Sequence, residues 1–139
     1  MKVSEAMTAQ VVTAKPGDSV RSVAKIMAEV DTGAVPVFEG GKVVGLVTDR
    51  DIVLRVVAEG GDLNGPISGV MSDHVQSCRP DDSVADAAGK MASHQLRRLV
   101  VTDDSGALVG ILSLGDIATD YGAKKVGEVL EEISAEAHA

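Results

Sequence analysis

Aromatic side chains are almost absent from this sequence of 139 residues, which has one Phe, one Tyr and no Trp. Few side chains are therefore available to stack on nucleic-acid bases. Basic residues are also scarce, because 13 Lys and Arg stand against 21 Asp and Glu for a formal net charge of −8. Proteins that bind a phosphate backbone need a clustered basic face, so we expect no nucleic-acid partner.

Long apolar runs are missing as well. No stretch approaches the roughly 20 apolar residues that cross a bilayer, and the N-terminus lacks the apolar segment of a signal peptide. We therefore expect a soluble, cytoplasmic protein without a membrane partner. The single cysteine, Cys78, cannot form an internal disulfide, which fits a reducing compartment. The apolar fraction of 45% predicts a core of aliphatic side chains.

The sequence offers little that could carry catalysis, which needs a nucleophile with a base, paired acids or a metal cluster. His74 and Cys78 are two possible ligands in a segment patterned as a strand, and two ligands make no zinc site without further partners. His138 lies in the terminal tail. The Gly pairs at 40–41 and 60–61 are typical of turns, not of a phosphate-binding loop. We therefore expect no enzyme, no metal and no required cofactor.

The second half of the chain repeats the first. Residues of the same type recur 64 positions apart: Met7/Met71, Pro16/Pro80, Asp18/Asp82, Ser19/Ser83, Val20/Val84, Met27/Met91 and Val37/Val101. After one extra residue near Ser105 the offset becomes 65, which aligns Gly45/Gly110, Asp51/Asp116 and Ile52/Ile117. The repeat and a turn-rich stretch between the copies predict four segments: a first repeat at 1–59, a linker at 60–66, a second repeat at 67–121, and a C-terminal helix and tail at 122–139.

Each copy has the same predicted order of elements, β-α-β-β-α. In the first copy a strand at 11–13 precedes a helix that is capped by Asp18 or Ser19 and stopped by Gly33. A hairpin follows, and a second helix begins near Asp49. The predicted elements of the second copy are a strand at 75–77, a helix at 83–94, strands at 99–102 and 108–112, and a helix from about Gly115.

A unit of roughly 55 residues has an apolar sheet face that it cannot cover alone, so we expect the two units to pack against each other. The predicted fold class is α+β. A further helix is predicted over about 124–137, with one apolar face formed by Val126, Val129, Leu130 and Ile133.

Three groups of residues carry a family resemblance: the openings Met7-Thr8 and Met71-Ser72, the stretch GLVTDRDI at 45–52, and the stretch GILSLGDI at 110–117. Over about Met1 to Tyr121 the chain resembles a CBS-domain pair, also called a Bateman module. The resemblance implies two β-α-β-β-α units packed about a pseudo-twofold axis, with the C-terminal helix outside the family pattern. It also implies a homodimer, and an adenosine-containing ligand such as AMP, ADP or ATP in the cleft between the repeats.

Carried over by position, the family's ligand motif implies that Thr48 with Asp51 and Ser113 with Asp116 hold ribose and phosphate. Their chemistry is suitable. An ionised carboxylate accepts hydrogen bonds from both ribose hydroxyls, and a hydroxyl at a helix start lies beside free backbone amides that favour phosphate. The same Thr/Ser-x-x-Asp spacing is also typical of a capping box, so the cap and the ligand site are both open interpretations.

Two arginines, Arg97 and Arg98, lie at the predicted helix-to-strand junction of the second copy. The resemblance implies that they contact phosphate, and the planar donor fork of Arg matches phosphate oxygens. The alternative is a solvated or acid-paired arginine. At the same register the first copy has Gly33 and Ala34, so we expect one asymmetric nucleotide site in each chain.

Two functions are consistent with these features. The first is a regulatory module that senses an adenosine-containing ligand and changes its affinity for a protein partner. The second is a ligand-free homodimeric interaction scaffold in which the Thr48 and Ser113 motifs are only helix caps. The apolar faces of the helices that begin near Asp49 and Gly115 favour the scaffold.

Overall fold

The computed structural model describes the backbone of residues 1–120 and 123–135, and the side chains of residues 1–119 and 127–135. Predictions on Tyr121 and His138, and on the side chain of Val126, lie outside the described residues. The elements follow in this order: α1 (Val3–Ala6), α2 (Val20–Val30), β1 (Ala34–Glu39), β2 (Lys42–Thr48), α3 (Asp49–Ile52), β3 (Ser77–Cys78), α4 (Val84–His94), β4 (Arg98–Thr102), β5 (Leu108–Ser113), α5 (Leu114–Asp120) and α6 (Ala123–Ala135). A π-helical turn, Val53–Val57, continues α3.

The chain divides into two compact units that do not coincide with the two copies of the repeat. The first unit comprises residues 12–75, and the second comprises residues 1–11 together with residues 76–139. The segment that opens the first copy therefore belongs to the second unit, and residues 67–75, which open the second copy, belong to the first unit.

Short ladders hold these opening segments to their units. In the second unit, Thr8 donates its N–H to the carbonyl of Ile111 at 2.9 Å and accepts from the Ile111 N–H at 3.0 Å. In the first unit, Ser72 and Leu46 exchange the same two bonds, both at 2.9 Å. The residue that follows each opening Met thus extends a hairpin strand by one antiparallel bridge.

The glycine that precedes each bridge leaves room for the opening Met. A Cβ added at Gly45 would lie 2.3 Å from the Met71 Sδ. A Cβ added at Gly110 would lie 2.7 Å from the Met7 Sδ and 2.8 Å from the carbonyl oxygen of Thr8. In each unit, the repeated Gly therefore packs against the repeated Met.

The first unit packs α2 and α3 on the β1–β2 hairpin, whose strands pair antiparallel. Gly40 and Gly41 take φ values of 59° and 78° in its two-residue turn, a conformation that favours glycine. Ser19 caps α2 by accepting a hydrogen bond from the Ser22 N–H at 3.1 Å. The buried core is aliphatic: Ala14, Val20, Val23, Met27, Val35, Val37, Val47, Ile52, Val56, Ile67 and Val70.

The second unit has a three-stranded sheet in the order β3-β4-β5, with β3 parallel and β5 antiparallel to β4. Ser83 caps α4 as Ser19 caps α2. Two residues of α6, Val129 and Ile133, join the core of this unit. The predicted α+β class is confirmed, and none of the described helices is long and apolar enough to cross a bilayer.

The predicted strand at 11–13 is wrong, since only Ala14 makes a parallel bridge, to Val37. The physical reason lies in the partner strand. The next upstream bond of a parallel ladder would need the N–H of residue 36 as a donor to the carbonyl of residue 12. Pro36 has no N–H, so the ladder stops after one bridge.

The equivalent position of the second copy makes the missing bond. Val100 donates its N–H to the carbonyl of Gln76 at 3.3 Å, and strand β3 forms next to it. Of the predicted strand at 75–77, only Ser77 lies in the observed strand, Ser77–Cys78. A single Pro therefore accounts for the difference between the two copies.

Helix α2 ends earlier than its sequence predicts. Asp31, and not Gly33, takes the left-handed conformation that closes the helix, with φ of 53°. Gln95 closes α4 in the same way, with φ of 56°. Asp is among the residues that tolerate this conformation, so no Gly is required.

Part of the predicted linker packs against the start of α2. The N–H of Val20 donates to the carbonyl of Gly65 at 3.0 Å, and the N–H of Arg21 donates to the carbonyl of Leu63 at 2.9 Å. These bonds satisfy two first-turn donors that have no partner inside the helix.

Candidate functional site

Thr48 and Asp51 form a capping box at the junction of β2 and α3. The Thr48 Oγ1 accepts from the N–H of Asp51 at 3.1 Å. In return, the Asp51 Oδ2 accepts from the N–H of Thr48 at 2.9 Å. Both residues are half-buried. The predicted cap is therefore present, and it fixes the Asp51 carboxylate at the start of the helix.

Ser113 and Asp116 repeat the arrangement in the second unit, where β5 meets α5. The Ser113 Oγ accepts from the N–H of Asp116 at 3.0 Å, and the Asp116 Oδ2 accepts from the N–H of Ser113 at 2.9 Å. Each cap uses one oxygen of its carboxylate. Among the described residues, none donates a hydrogen bond to the other oxygen of Asp51 or Asp116.

The first of these carboxylates has a basic neighbour that the sequence interpretation missed. The Arg55 Nε lies 3.9 Å from the Asp51 Oδ1, and the Arg55 Nη1 donates to the carbonyl of Val70 at 3.0 Å. The spacing of four residues on a helix was the signal that could have found this pair. The Arg55 side chain is half-exposed, so the ion pair contributes little to stability.

Arg97 and Arg98 lie in the second unit, beside the Ser113 and Asp116 pair. Arg98 is the register partner of Ser113 in the β4–β5 ladder. The carbonyl of Arg97 accepts from the N–H of Leu114 at 2.8 Å. Arg97 is exposed and Arg98 is half-buried. A hydroxyl, a carboxylate and two guanidinium groups thus come from one strand-to-helix junction and its neighbouring strand.

The first unit has the same backbone arrangement without the cations. Ala34 is the register partner of Thr48, and the N–H of Asp49 donates to the carbonyl of Gly33 at 3.0 Å. The two units therefore present the same cap with different charges beside it. The second copy supplies Arg97 and Arg98 at the start of β4, and the first copy supplies Arg55 shortly after the start of α3.

Cys78 is buried in the core of the second unit. Burial raises the pKa of its thiol to about 11, with a smaller contribution from Asp82 and an opposing one from Lys90. At neutral pH the group is therefore a thiol and a poor nucleophile or metal ligand. His74 is exposed and lies beside Asp73. The described residues contain no cluster of three or more His, Cys, Asp or Glu suited to a metal ion.

Comparison with known proteins gives the family. Residues 3–58 and 67–121 each match the CBS domain. The chain is 42% identical to the CBS domain-containing protein YhcV of Bacillus subtilis, over 95% of this chain and 94% of YhcV.

Two solved structures extend the comparison. One is the CBS domain protein PAE2072 of Pyrobaculum aerophilum complexed with AMP, with a TM-score of 0.80 and 30% identity over 93% of this chain and 98% of that one. The other is the CBS domain pair of protein MJ0100 in complex with 5′-methylthioadenosine and S-adenosyl-L-methionine, with a TM-score of 0.79 and 27% identity over 89% of this chain and 98% of that one. The predicted resemblance is confirmed: the chain belongs to the CBS-domain family and carries two CBS repeats.

Proposed function

We propose that this protein is a regulatory module that binds an adenine nucleotide, AMP, ADP or ATP, and that Thr48, Asp51, Ser113, Asp116, Arg97 and Arg98 are its ligand-binding residues. One observation carries the proposal. In both units the capping box orients an aspartate and leaves one carboxylate oxygen without a hydrogen bond from the described residues. Such an oxygen can accept from ribose hydroxyls. AMP in the related PAE2072 supports the ligand class.

The positions of Arg97 and Arg98 support a phosphate-bearing ligand. Guanidinium groups bind phosphate oxygens by paired hydrogen bonds, and both arginines belong to the unit that contains Ser113 and Asp116. Gly33 and Ala34 offer no such donors in the first copy. We therefore propose one phosphate-binding site in each chain, and a role in binding, not catalysis, in the cytoplasm.

Regulation requires that the ligand bind two states of the protein unequally. The proposed output is a changed affinity for a protein partner. No cofactor is part of the proposal, and neither a nucleic acid nor a membrane is a proposed partner.

The test is a thermal-shift series with AMP, ADP, ATP, NAD and S-adenosylmethionine. A ligand at 100 times its dissociation constant stabilises the folded state by about 2.7 kcal/mol, which raises the melting temperature by a few degrees. We expect a shift with an adenine nucleotide. Loss of the shift in Asp116→Ala or Asp51→Ala would identify the carboxylate that holds the ribose.

Because each substitution also removes one of the two bonds of a capping box, the ligand-induced shift must be compared with the same variant without ligand. Asp49→Ala is the matched control, since Asp49 is an exposed aspartate next to the motif whose carboxylate accepts only from the N–H of Arg50 among the described residues. It should keep the full shift. No shift with any of the five compounds would contradict the proposal and leave the motifs as caps.

A second candidate function is a homodimeric interaction scaffold. Its supporting observation is a row of exposed apolar side chains on the π-helical turn, where Val53, Leu54 and Val57 are 54%, 47% and 62% exposed. Burial of such a row in a homodimer would remove apolar surface from water. Sedimentation at micromolar concentration should then give a dimer that Val57→Glu dissociates, and a monomeric wild type would exclude the scaffold.

A further inference from the structure

A cavity of about 580 Å³ lies in the first unit, at the end of the hairpin opposite Thr48 and Asp51. It is lined by two loops: the turn formed by Lys15, Pro16, Gly17 and Asp18, and the hairpin turn formed by Phe38, Glu39, Gly40 and Gly41. Small-molecule sites have volumes of about 300 to 1,000 Å³, so a metabolite would fit. No residue of the proposed nucleotide site lines it.

The second copy of the repeat shows which groups lie at the position that corresponds to the cavity. Its corresponding turn is built in the same way, because the Arg79 N–H donates to the Asp82 Oδ2 at 2.9 Å just as the Lys15 N–H donates to the Asp18 Oδ2 at 2.9 Å. The backbone bond that closes the turn is also the same, from residue 18 to 15 at 3.0 Å and from residue 82 to 79 at 3.1 Å.

The two copies differ in the hairpin turn that faces this shared turn. In the second copy Arg79 forms an ion pair with Asp104, so that a cation and a carboxylate join the two loops. The position of Asp104 is taken by Gly40 in the first copy, whose hairpin is one residue shorter. Among the described side chains Lys15 has no ion-pair partner, although it lines the cavity as the counterpart of Arg79.

An acidic group faces the same cavity and is also unpaired. Glu39 is exposed and forms no ion pair with Lys15 or with any other described side chain. The carboxylate of its counterpart Asp103, in contrast, accepts hydrogen bonds from the Ser105 hydroxyl and from the Ala107 N–H. The first unit therefore has one cation and one free carboxylate that line a single cavity without contacting each other.

Asp18 also lines the cavity, and its carboxylate accepts from the Lys15 N–H. The remaining lining is apolar or small. Phe38, the one Phe of the chain, is half-buried there, and Pro16 is half-buried as well. A Cβ added at Gly17, Gly40 or Gly41 would meet no atom within 4 Å, so the space beside these residues is open. A ligand could therefore place an apolar group on Phe38 and Pro16.

We infer that this cavity binds a free α-amino acid with an apolar side chain. Its carboxylate pairs with Lys15, in the place that Asp104 takes beside Arg79 in the second copy, and its ammonium group pairs with Glu39. A plain anion would pair with Lys15 and leave Glu39 unpaired, and a plain cation would pair with Glu39 and leave Lys15 unpaired. A zwitterion satisfies both charges at once. This site is separate from the proposed nucleotide site and does not depend on it.

Calorimetric titration of the full chain tests the inference with L-leucine as the probe. Isocaproate keeps the carboxylate and the apolar chain of leucine but lacks the ammonium group, and isoamylamine lacks the carboxylate. We expect one molecule of L-leucine to bind per chain, and each analogue to bind at least about tenfold more weakly, as the loss of one charge-assisted contact predicts. The absence of L-leucine binding, or equal affinities for all three compounds, would overturn the inference.

Substitutions locate the binding. Lys15→Ala should weaken L-leucine binding about tenfold or more, and Glu39→Gln should weaken L-leucine but not isocaproate. Lys25→Ala is the control, because Lys25 is an exposed lysine of α2 that does not line the cavity. Asp51→Ala should also keep leucine binding. Unchanged affinity in Lys15→Ala, or an equal loss in Lys25→Ala, would show that the cavity is not the site.

Discussion

The backbone of Gly110 has an ordinary conformation. A larger residue is disfavoured there because atoms of the opening segment lie close to its Cα. Its missing Cβ leaves room for the Met7 Sδ and the Thr8 carbonyl oxygen. We expect Gly110→Ala to lower the free energy of unfolding by about 1 to 3 kcal/mol, because backbone of the opening segment must shift. Gly45→Ala should have a similar effect, since a Cβ there would lie 2.3 Å from the Met71 Sδ and 3.0 Å from the carbonyl oxygen of Ser72. Urea unfolding measures both.

Gly89 provides the matched control for this prediction. It lies inside α4, and a Cβ added there would meet nothing within 4 Å. Gly89→Ala should therefore raise the free energy of unfolding, by up to about 1 kcal/mol, through helix propensity alone. Equal effects of the Gly110 and Gly89 substitutions would contradict the close-approach interpretation.

The residues of the motif were predictable from spacing, because Thr48 with Asp51 and Ser113 with Asp116 are local pairs. A capping box needs only a strand end and one helical turn, and both are visible in the sequence. Arg55 was missed although its spacing from Asp51 is regular. Its second contact, with the carbonyl of Val70, depends on the opening segment of the other copy, and no local pattern indicates that neighbour.

At the scale of elements, α6 lies beyond the family repeats and still contributes to a core. Ile133 is buried with the α4 side chains of the second unit, whereas Leu130 on the same helix is 40% exposed. Ile133→Ala should lower the free energy of unfolding by about 2 kcal/mol or more, and Leu130→Ala should cost much less. Similar losses in thermal or urea unfolding would show that α6 does not pack as described.

Helices and strands were predicted correctly where the local sequence pattern is sufficient. They were predicted wrongly where hydrogen bonds to a distant strand determine whether the element forms. Both hairpins follow from apolar runs on either side of a turn that contains glycine. The predicted strand at 11–13 does not form, because Pro36 on the neighbouring strand has no N–H to donate to it. The end of α2 at Asp31 was missed because a non-glycine residue takes the left-handed position.

At the scale of the whole molecule, the exchange of opening segments predicts how the chain can be divided. A fragment of residues 12–75 contains the complete first unit, and a fragment of residues 1–64 has the same length but lacks Ser72. The N–H of Leu46 bonds to the carbonyl of Ser72. We expect hydrogen exchange to find this amide protected in fragment 12–75 and unprotected in fragment 1–64. Equal protection would contradict the assignment of residues 67–75 to the first unit.

The internal repeat, the α+β class and the caps could be predicted from the sequence, because each depends on residue types at short or regular spacings. The resemblance of its motifs indicated the CBS-domain family. Only the folded chain shows which unit each opening segment joins, why Gly45 and Gly110 are glycines, and which charges surround each cap. It also revealed the open cavity beside Lys15. These features depend on atoms that are far apart in the chain and become neighbours only when the segments fold together.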